Sequence, residues 1–194
     1  MDSILQIIKD GFQAMIPVGT MGWVSLIISV FSTACIVSTS YIKDVKKILV
    51  LLATANLAIA LCYFFQGPAS YNGAISCTIG AATAIISGIY DIKGKDVPVF
   101  VAVLYGVVFT VANLFAWTAW YSAIVIVASL MFAVSTIQKT GMMYRIWTLG
   151  NIFLWIVFDI VSQSGASLIS QLKTFTFMTS GMIIDIVRAK RAKK

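Results

Sequence analysis

Apolar residues fill this chain in seven long runs, separated by short polar turns, and only the first sixteen residues follow another rule. There, Ile4, Leu5, Ile8, Phe12, Met15 and Ile16 fall on one helical face, with Asp2, Gln6, Lys9 and Gln13 on the other. That pattern predicts an amphipathic helix lying in a membrane interface, ended at Pro17. The long runs are 18–40, 47–65, 70–90, 97–113, 118–137, 142–162 and 166–187. A membrane span needs roughly 20 mainly apolar residues. No charge separates the fourth run from the fifth between Asp96 and Lys139. As one helix that stretch would measure roughly 63 Å, twice the hydrocarbon core. It must fold back, and Asn113 to Thr118, flanked by the interfacial aromatics Trp117 and Trp120, is the expected bend. The expected fold is an all-α membrane protein with seven transmembrane helices.

Composition supports this reading and removes whole classes of chemistry. The chain is 60% hydrophobic and 11% charged over 194 residues, whereas a soluble domain is about a quarter charged and under half apolar. It has no His, and all seven acids are Asp. The usual neutral-pH base and the commonest metal ligand are therefore missing. Cys35, Cys62 and Cys77 lie in apolar runs without metal-ligand spacing and read as small packing residues. No cofactor is expected. The first sixteen residues lack a basic region followed by a continuous apolar run, so no cleavable signal peptide is expected.

Charge sets the expected orientation. Taking the loops alternately, one side holds twelve basic residues, from Lys43, Lys46 and Lys47 through Lys93, Lys95, Lys139 and Arg145 to the tail after Val187. The other side holds Lys9 and Lys173. The positive-inside rule then puts the N-terminus outside and the C-terminus in the cytoplasm. The basic tail suits lipid head groups, not nucleic acid. The net charge of +7 comes from these flanks and says nothing about a substrate.

The chain also repeats itself. Trp23, Ser25, Ser32, Val37, Ser38 and Thr39 recur as Trp120, Ser122, Ser129, Val134, Ser135 and Thr136, each displaced by 97. Asn56 recurs as Asn151, displaced by 95, and Ser87-Gly88 recurs as Ser180-Gly181. Six identities in one ungapped window, followed by others in the same order, mark an internal repeat. Three helices end on the side opposite their start, so a second copy in the same orientation needs one extra crossing. The expected arrangement is 3+1+3: interfacial helix 1–17, first unit 18–93, linker helix 94–117, second unit 118–188 and basic tail 189–194. Parallel units of this kind pack about an axis along the membrane normal, with a solute path between them.

Polar groups at membrane depth give the candidate site. Asn151, Trp155 and Asp159 fall four apart on one helical face. Asn56 and Asn151 either hydrogen-bond neighbouring helices or, as repeat partners, flank a shared central site. Trp155 offers a stacking surface for a ring-shaped solute. With Gln171 and Thr174 these form the expected substrate-binding set. Asp159 and Lys173 sit at similar depth on consecutive helices and could pair, as an extracellular gate or as a clasp for the hairpin; alternatively Lys173 snorkels to the surface. Gln171 lies roughly 200° around the helix from Lys173, so the two cannot face one point. Ser76, Gly80, Ala84 and Gly88 read as close helix packing.

The seven-helix order, basic inner loops and three-one-three repeat resemble the SWEET and PQ-loop sugar transporters and the PnuC-type vitamin transporters. In length and local detail the chain is more similar to the YgjV family of bacterial inner-membrane proteins. Ile28 to Lys93, with Tyr63-Phe64-Phe65-Gln66-Gly67 closing the second run, carries that resemblance, as does Trp147 to Arg188. It implies a multi-pass protein of the cytoplasmic membrane. The departures are specific: SWEETs carry prolines within their helices, whereas Pro17, Pro68 and Pro98 sit at helix ends here. SWEETs also place Asn in the third and seventh helices, where this chain offers Thr78, Thr83, Thr174 and Thr176.

The leading expectation is a small-solute facilitator for a vitamin, nucleoside or sugar-like molecule. Its partners would be membrane lipids and the solute, with a homo-oligomer left open. No nucleotide-binding motif is present. A seven-helix photoreceptor shares the topology and a lysine in the last helix, but Ile169 stands where retinal proteins place a carboxylate. A membrane enzyme would have to rely on Asp159 and Lys173 for acid–base work and is not expected. A regulatory subunit without transport remains as a fourth reading.

Overall fold

A computed structural model describes residues 2–39, 45–136, 138 and 141–191. Among them are eight α-helices and no strand. Helix α1 is Asp2–Gln13, α2 Gly19–Thr39, α3 Val45–Phe65, α4 Tyr71–Ile92, α5 Val99–Phe115, α6 Ser122–Thr136, α7 Gly141–Val161 and α8 Gly165–Arg191. A single 3-10 turn, Pro68–Ser70, leads into α4. The apolar runs thus mark every helix to within a few residues. Gly19–Ser38 and Pro68–Tyr90 are long and apolar enough to cross a membrane, and Val50–Phe65, Val99–Phe115, Ser122–Ser135 and Ile146–Val161 are shorter apolar helices.

Local chemistry explains the breaks. Gly67 takes φ +101°, a conformation open to glycine, and Pro68 follows at the first position of the 3-10 turn. The fold-back between α5 and α6 lies at 116–121, three residues later than expected. Asn113 does not turn the chain. It is fully buried inside α5, and its Nδ2 donates to Ser76 Oγ and to the Phe109 carbonyl, both at 2.8 Å. Trp117 and Trp120 are exposed at the bend, as interface anchors are.

Helix contacts form a closed circuit. Helix α2 packs on α3, α3 on α4, α4 on α6, α6 on α7, α7 on α8, and α8 returns to α2. Helix α5 leans on α4 and α6 from outside the ring, and α1 lies on α7 and α8. The polarity runs opposite to that of a soluble bundle. Large apolar side chains such as Ile27, Phe31, Leu61, Phe64, Phe153 and Phe177 are exposed. Ser29, Ser32, Ser129, Asn151, Asp159 and Ser167 are buried. A lipid solvent tolerates the first and favours the second, because polar groups in hydrocarbon must find partners inside the protein.

The ends of the bundle differ. One carries the turns after α3, α5 and α7, and is called the Asp159 end below; the other is the basic end. A core of Tyr63, Val125, Ala128, Trp155, Phe158 and their neighbours draws α3, α4, α6, α7 and α8 together. Helix α1 closes onto the Asp159 end with little space to spare. A Cβ on Gly11 would lie 2.6 Å from the Ile160 carbonyl, and one on Gly165 would run into the Ala14 carbonyl. Backbone cannot move aside as a side chain can. Gly165→Val should therefore release α1 from the bundle, measured as faster proteolytic cleavage near residues 14–18.

Candidate functional site

A cavity of about 170 Å³ lies inside the ring. All five expected substrate-binding residues line it: Asn56, Asn151, Trp155, Gln171 and Thr174. They come from α3, α7 and α8, so the ring brings together residues up to 118 positions apart (174 − 56). The repeat is visible in the wall. Ser32 faces the cavity with Ser129, displaced by 97, and Asn56 with Asn151, displaced by 95. Ser76 and Ser170, displaced by 94, form a third such pair. No charged side chain is among the lining residues.

Each amide is held by a carbonyl. Asn151 Nδ2 donates to the Ala128 carbonyl of α6 at 2.6 Å, and Asn56 Nδ2 to the Leu52 carbonyl of its own helix at 3.0 Å. Ser32 Oγ donates to the Ala55 carbonyl of α3 at 2.9 Å. Hydroxyls also meet across the ring. Ser129 Oγ lies 3.3 Å from Ser76 Oγ, and Thr33 Oγ1 lies 2.8 Å from Ser170 Oγ. Gly80 and Ser76 of the small-residue row read as packing also line the cavity, and a Cβ on Gly80 would stand 3.4 Å from Asn56 Oδ1, an ordinary contact.

Aromatic rings close the cavity toward the Asp159 end. The Tyr63 ring centroid lies 5.7 Å from that of Trp155 and 6.0 Å from that of Phe158. Gly73 leaves room for the Tyr63 ring, since a Cβ there would stand 2.9 Å from it. Trp155 and Phe158 meet edge to face at 5.7 Å, a favoured geometry for aromatic pairs. Trp155 therefore has one edge in a packed aromatic cluster and also borders the cavity.

The expected pairing of Asp159 with Lys173 does not form. Asp159 is fully buried and accepts a hydrogen bond from Tyr63 Oη at 2.8 Å. Its second oxygen, Oδ2, has no hydrogen-bond partner. Lys173 is exposed. The cause is helix geometry: α8 turns Ala166, Ser170 and Thr174 inward, and Lys173 falls with exposed Phe177 on the outer face. From there a lysine stem can run along apolar surface with its ammonium at the interface. Lys173→Gln should leave thermal stability and any flux within about twofold of the parent, a surface-sized effect; a larger loss would restore the pair.

Sequence reasoning gave Tyr63 and Gln66 no site role. Gln66 was legible as the end of a helix. The structure shows it bridging to α8: Nε2 donates to Ser167 Oγ at 2.7 Å, and Oε1 accepts from the Ala166 N–H at 3.2 Å. Asn72 was also passed over. It is fully buried, and both of its amide atoms lack hydrogen-bond partners. The Tyr63–Asp159 bond joins residues 96 apart, a separation at which no local pattern gives a signal.

The chain was compared with known families, curated proteins and solved structures. The family model Imp-YgjV, described as a bacterial inner membrane protein, matches residues 23–193 and so takes in α2 to α8. No curated protein and no solved structure matches the chain.

Proposed function

We propose, for a chain that belongs to the Imp-YgjV family of bacterial inner membrane proteins, the carriage of a small, neutral, polar solute across the inner membrane. One observation carries this reading. Among the mainly apolar residues that line the cavity inside the ring stand repeat-related pairs of polar residues, and no charged side chain lines it. Packing alone needs no such hollow, because lipid-facing helices associate through small residues and single hydrogen bonds. Nine of the twenty lining residues are polar, which supplies hydrogen-bonding groups to something that lipid would not dissolve.

In this reading α2–α4 and α6–α8 are the two three-helix units and α5 is the crossing that turns the second the same way as the first. The layout resemblance to SWEET, PQ-loop and PnuC-type transporters supports that topology. The distribution of basic residues favours an N-terminus outside and a tail after α8 in the cytoplasm. The solute's hydroxyls or amides would meet Asn56, Asn151, Gln171 and Thr174, and a flat ring would lie against Trp155. The absence of charge in the lining favours an uncharged molecule, since a bare charge would have no partner there. The volume of about 170 Å³ is below the usual ~300 Å³ of a drug-sized pocket, which favours a solute of monosaccharide or nucleobase size. A photoreceptor would need an interior lysine on the last helix, whereas Lys173 is exposed.

Binding can be tested before transport. A ligand selective for the folded state raises stability by about 2.7 kcal/mol at a hundred times its Kd. Purified protein should unfold at a higher temperature with a neutral sugar, nucleoside or vitamin, and Trp155→Ala should abolish the rise. A rise that survives Trp155→Ala would move the site elsewhere.

A further inference from the structure

A second hollow, of about 560 Å³, opens at the Asp159 end between the α1–α2 linker, the end of α3 and the start of α8. Its wall includes Asp10, Gln13, Ser25, Gln66 and Gln163. Ser25 is 1% exposed, and its hydroxyl has no hydrogen-bond partner. Ser25 and Gln66 border this vestibule, and seven residues further along the same helices Ser32 and Ile59 border the central cavity. Seven helical residues are about 10 Å. The partition between the two hollows is therefore two turns thick along α2 and α3, and about one turn along α8, where Ala166 borders the vestibule and Ser170 the cavity.

That partition is polar. Ser29, Cys62 and Ser167 are fully buried within it. Ser29 Oγ donates to the Ala166 carbonyl at 2.6 Å, and Cys62 Sγ lies 3.4 Å from the Ser25 carbonyl and 3.6 Å from Ser167 Oγ. Along the ring's own axis the same depth is filled by the rings of Tyr63, Trp155 and Phe158. The repeat is also broken here. At the displacements found above, Ser29, Cys62 and Gln66 correspond to Ile126, Val157 and Val161. The second unit's seam is apolar at these positions and the first unit's is polar.

We propose that the solute enters from the vestibule along the seam between α2, α3 and α8, and that Gln66 is the latch closing that seam. The proposal rests on the carriage reading for the word solute, but the seam and its latch can be tested without any solute. Gln66 holds α3 against α8 with two hydrogen bonds, one of them to the Ala166 N–H in the first turn of α8. That amide has no partner within its own helix. Releasing both bonds frees α3 from α8 at the vestibule and exposes the next layer, which is Cys62.

Cys62 is thus a built-in reporter. With Cys35→Ala and Cys77→Ala as background, Cys62 is the one thiol left of three. A membrane-impermeant cationic thiosulfonate is added outside right-side-out vesicles. In the parent, Cys62 reacts slowly. Gln66→Met keeps the volume and loses both bonds to α8, together with the Nε2 bonds to the Cys62 carbonyl and Sγ, and should raise the outside rate about tenfold or more. Gln66→Glu keeps an acceptor for the Ala166 N–H; it loses the donor to Ser167 Oγ, but that hydroxyl can turn to donate to the carboxylate, so the rate should stay within about threefold of the parent. If Gln66→Met does not fold, Ser167→Ala removes one latch bond and should raise the rate several-fold. An unchanged rate in a folded, monodisperse variant overturns the latch, and so does equal acceleration from both sides of the membrane. Labelling that responds as expected while no solute is carried would sink carriage and leave the seam standing; flux without a labelling response would do the reverse.

Discussion

Asn151→Leu should abolish saturable flux, with initial rates in proteoliposomes down by roughly a hundredfold, and leave a folded protein. The side chain has two jobs. Its Nδ2 ties α7 to α6 through the Ala128 carbonyl, and its amide borders the cavity. Loss of the tie costs about 1 kcal/mol or less, since hydrogen bonds between membrane helices are individually weak. Loss of the polar contact costs more. A site built to hydrogen-bond a solute group discriminates steeply when that group goes unpaired, and removing the protein's side of the contact strands the solute's polar atom in a closed hollow. Asn56→Leu should reduce flux comparably and stability less, because Asn56 Nδ2 bonds its own helix. Equal flux in parent and Asn151→Leu would turn Asn151 into a packing residue.

Tyr63→Phe should give the largest loss of stability for the removal of one oxygen. Asp159 is fully buried, and the Tyr63 hydroxyl is the partner of Oδ1 while Oδ2 has none. Without the hydroxyl, neither carboxyl oxygen is satisfied. A buried polar group left unpaired costs about 1–3 kcal/mol. For a chain of this length each kcal/mol is about 2–4 °C in Tm, so a fall of roughly 2–12 °C is expected. Asp159→Asn keeps an acceptor for the tyrosine and should unfold near the parent temperature. Thermal unfolding of the two variants in the same detergent decides it; an unshifted Tyr63→Phe would mean that water or another group already serves Asp159.

These effects trace what the sequence could and could not disclose. Helix positions were readable because hydrocarbon thickness fixes the length of an apolar run: the run 142–162 became Gly141–Val161. The five cavity residues were readable because the repeat set Asn56 against Asn151 and helical spacing put Trp155 on the same face as the second amide. Partners were not readable. Asp159 has a basic neighbour on the next helix, and proximity in sequence favoured Lys173, yet Tyr63 of α3 reaches it across the ring. Asn113 was placed at the bend by the length of the uncharged run and the tryptophans that follow it, while its amide nitrogen donates to Ser76 of α4 from inside a helix. In each case the deciding contact comes from a helix distant in sequence, Tyr63 of α3 for Asp159 and Ser76 of α4 for Asn113. Such contacts depend on how the ring closes, and no short stretch of sequence encodes that.

Carriage itself is tested by solute uptake. Purified protein is placed in liposomes, and uptake of radiolabelled neutral sugars, nucleosides and vitamins is followed with and without the unlabelled solute trapped inside. Saturable uptake of at least one of them, accelerated by the trapped solute and lost in Asn151→Leu, is the expected result. Uptake no faster than through protein-free liposomes for every solute, from protein that remains folded, would contradict a carrier and leave the polar cavity as internal packing.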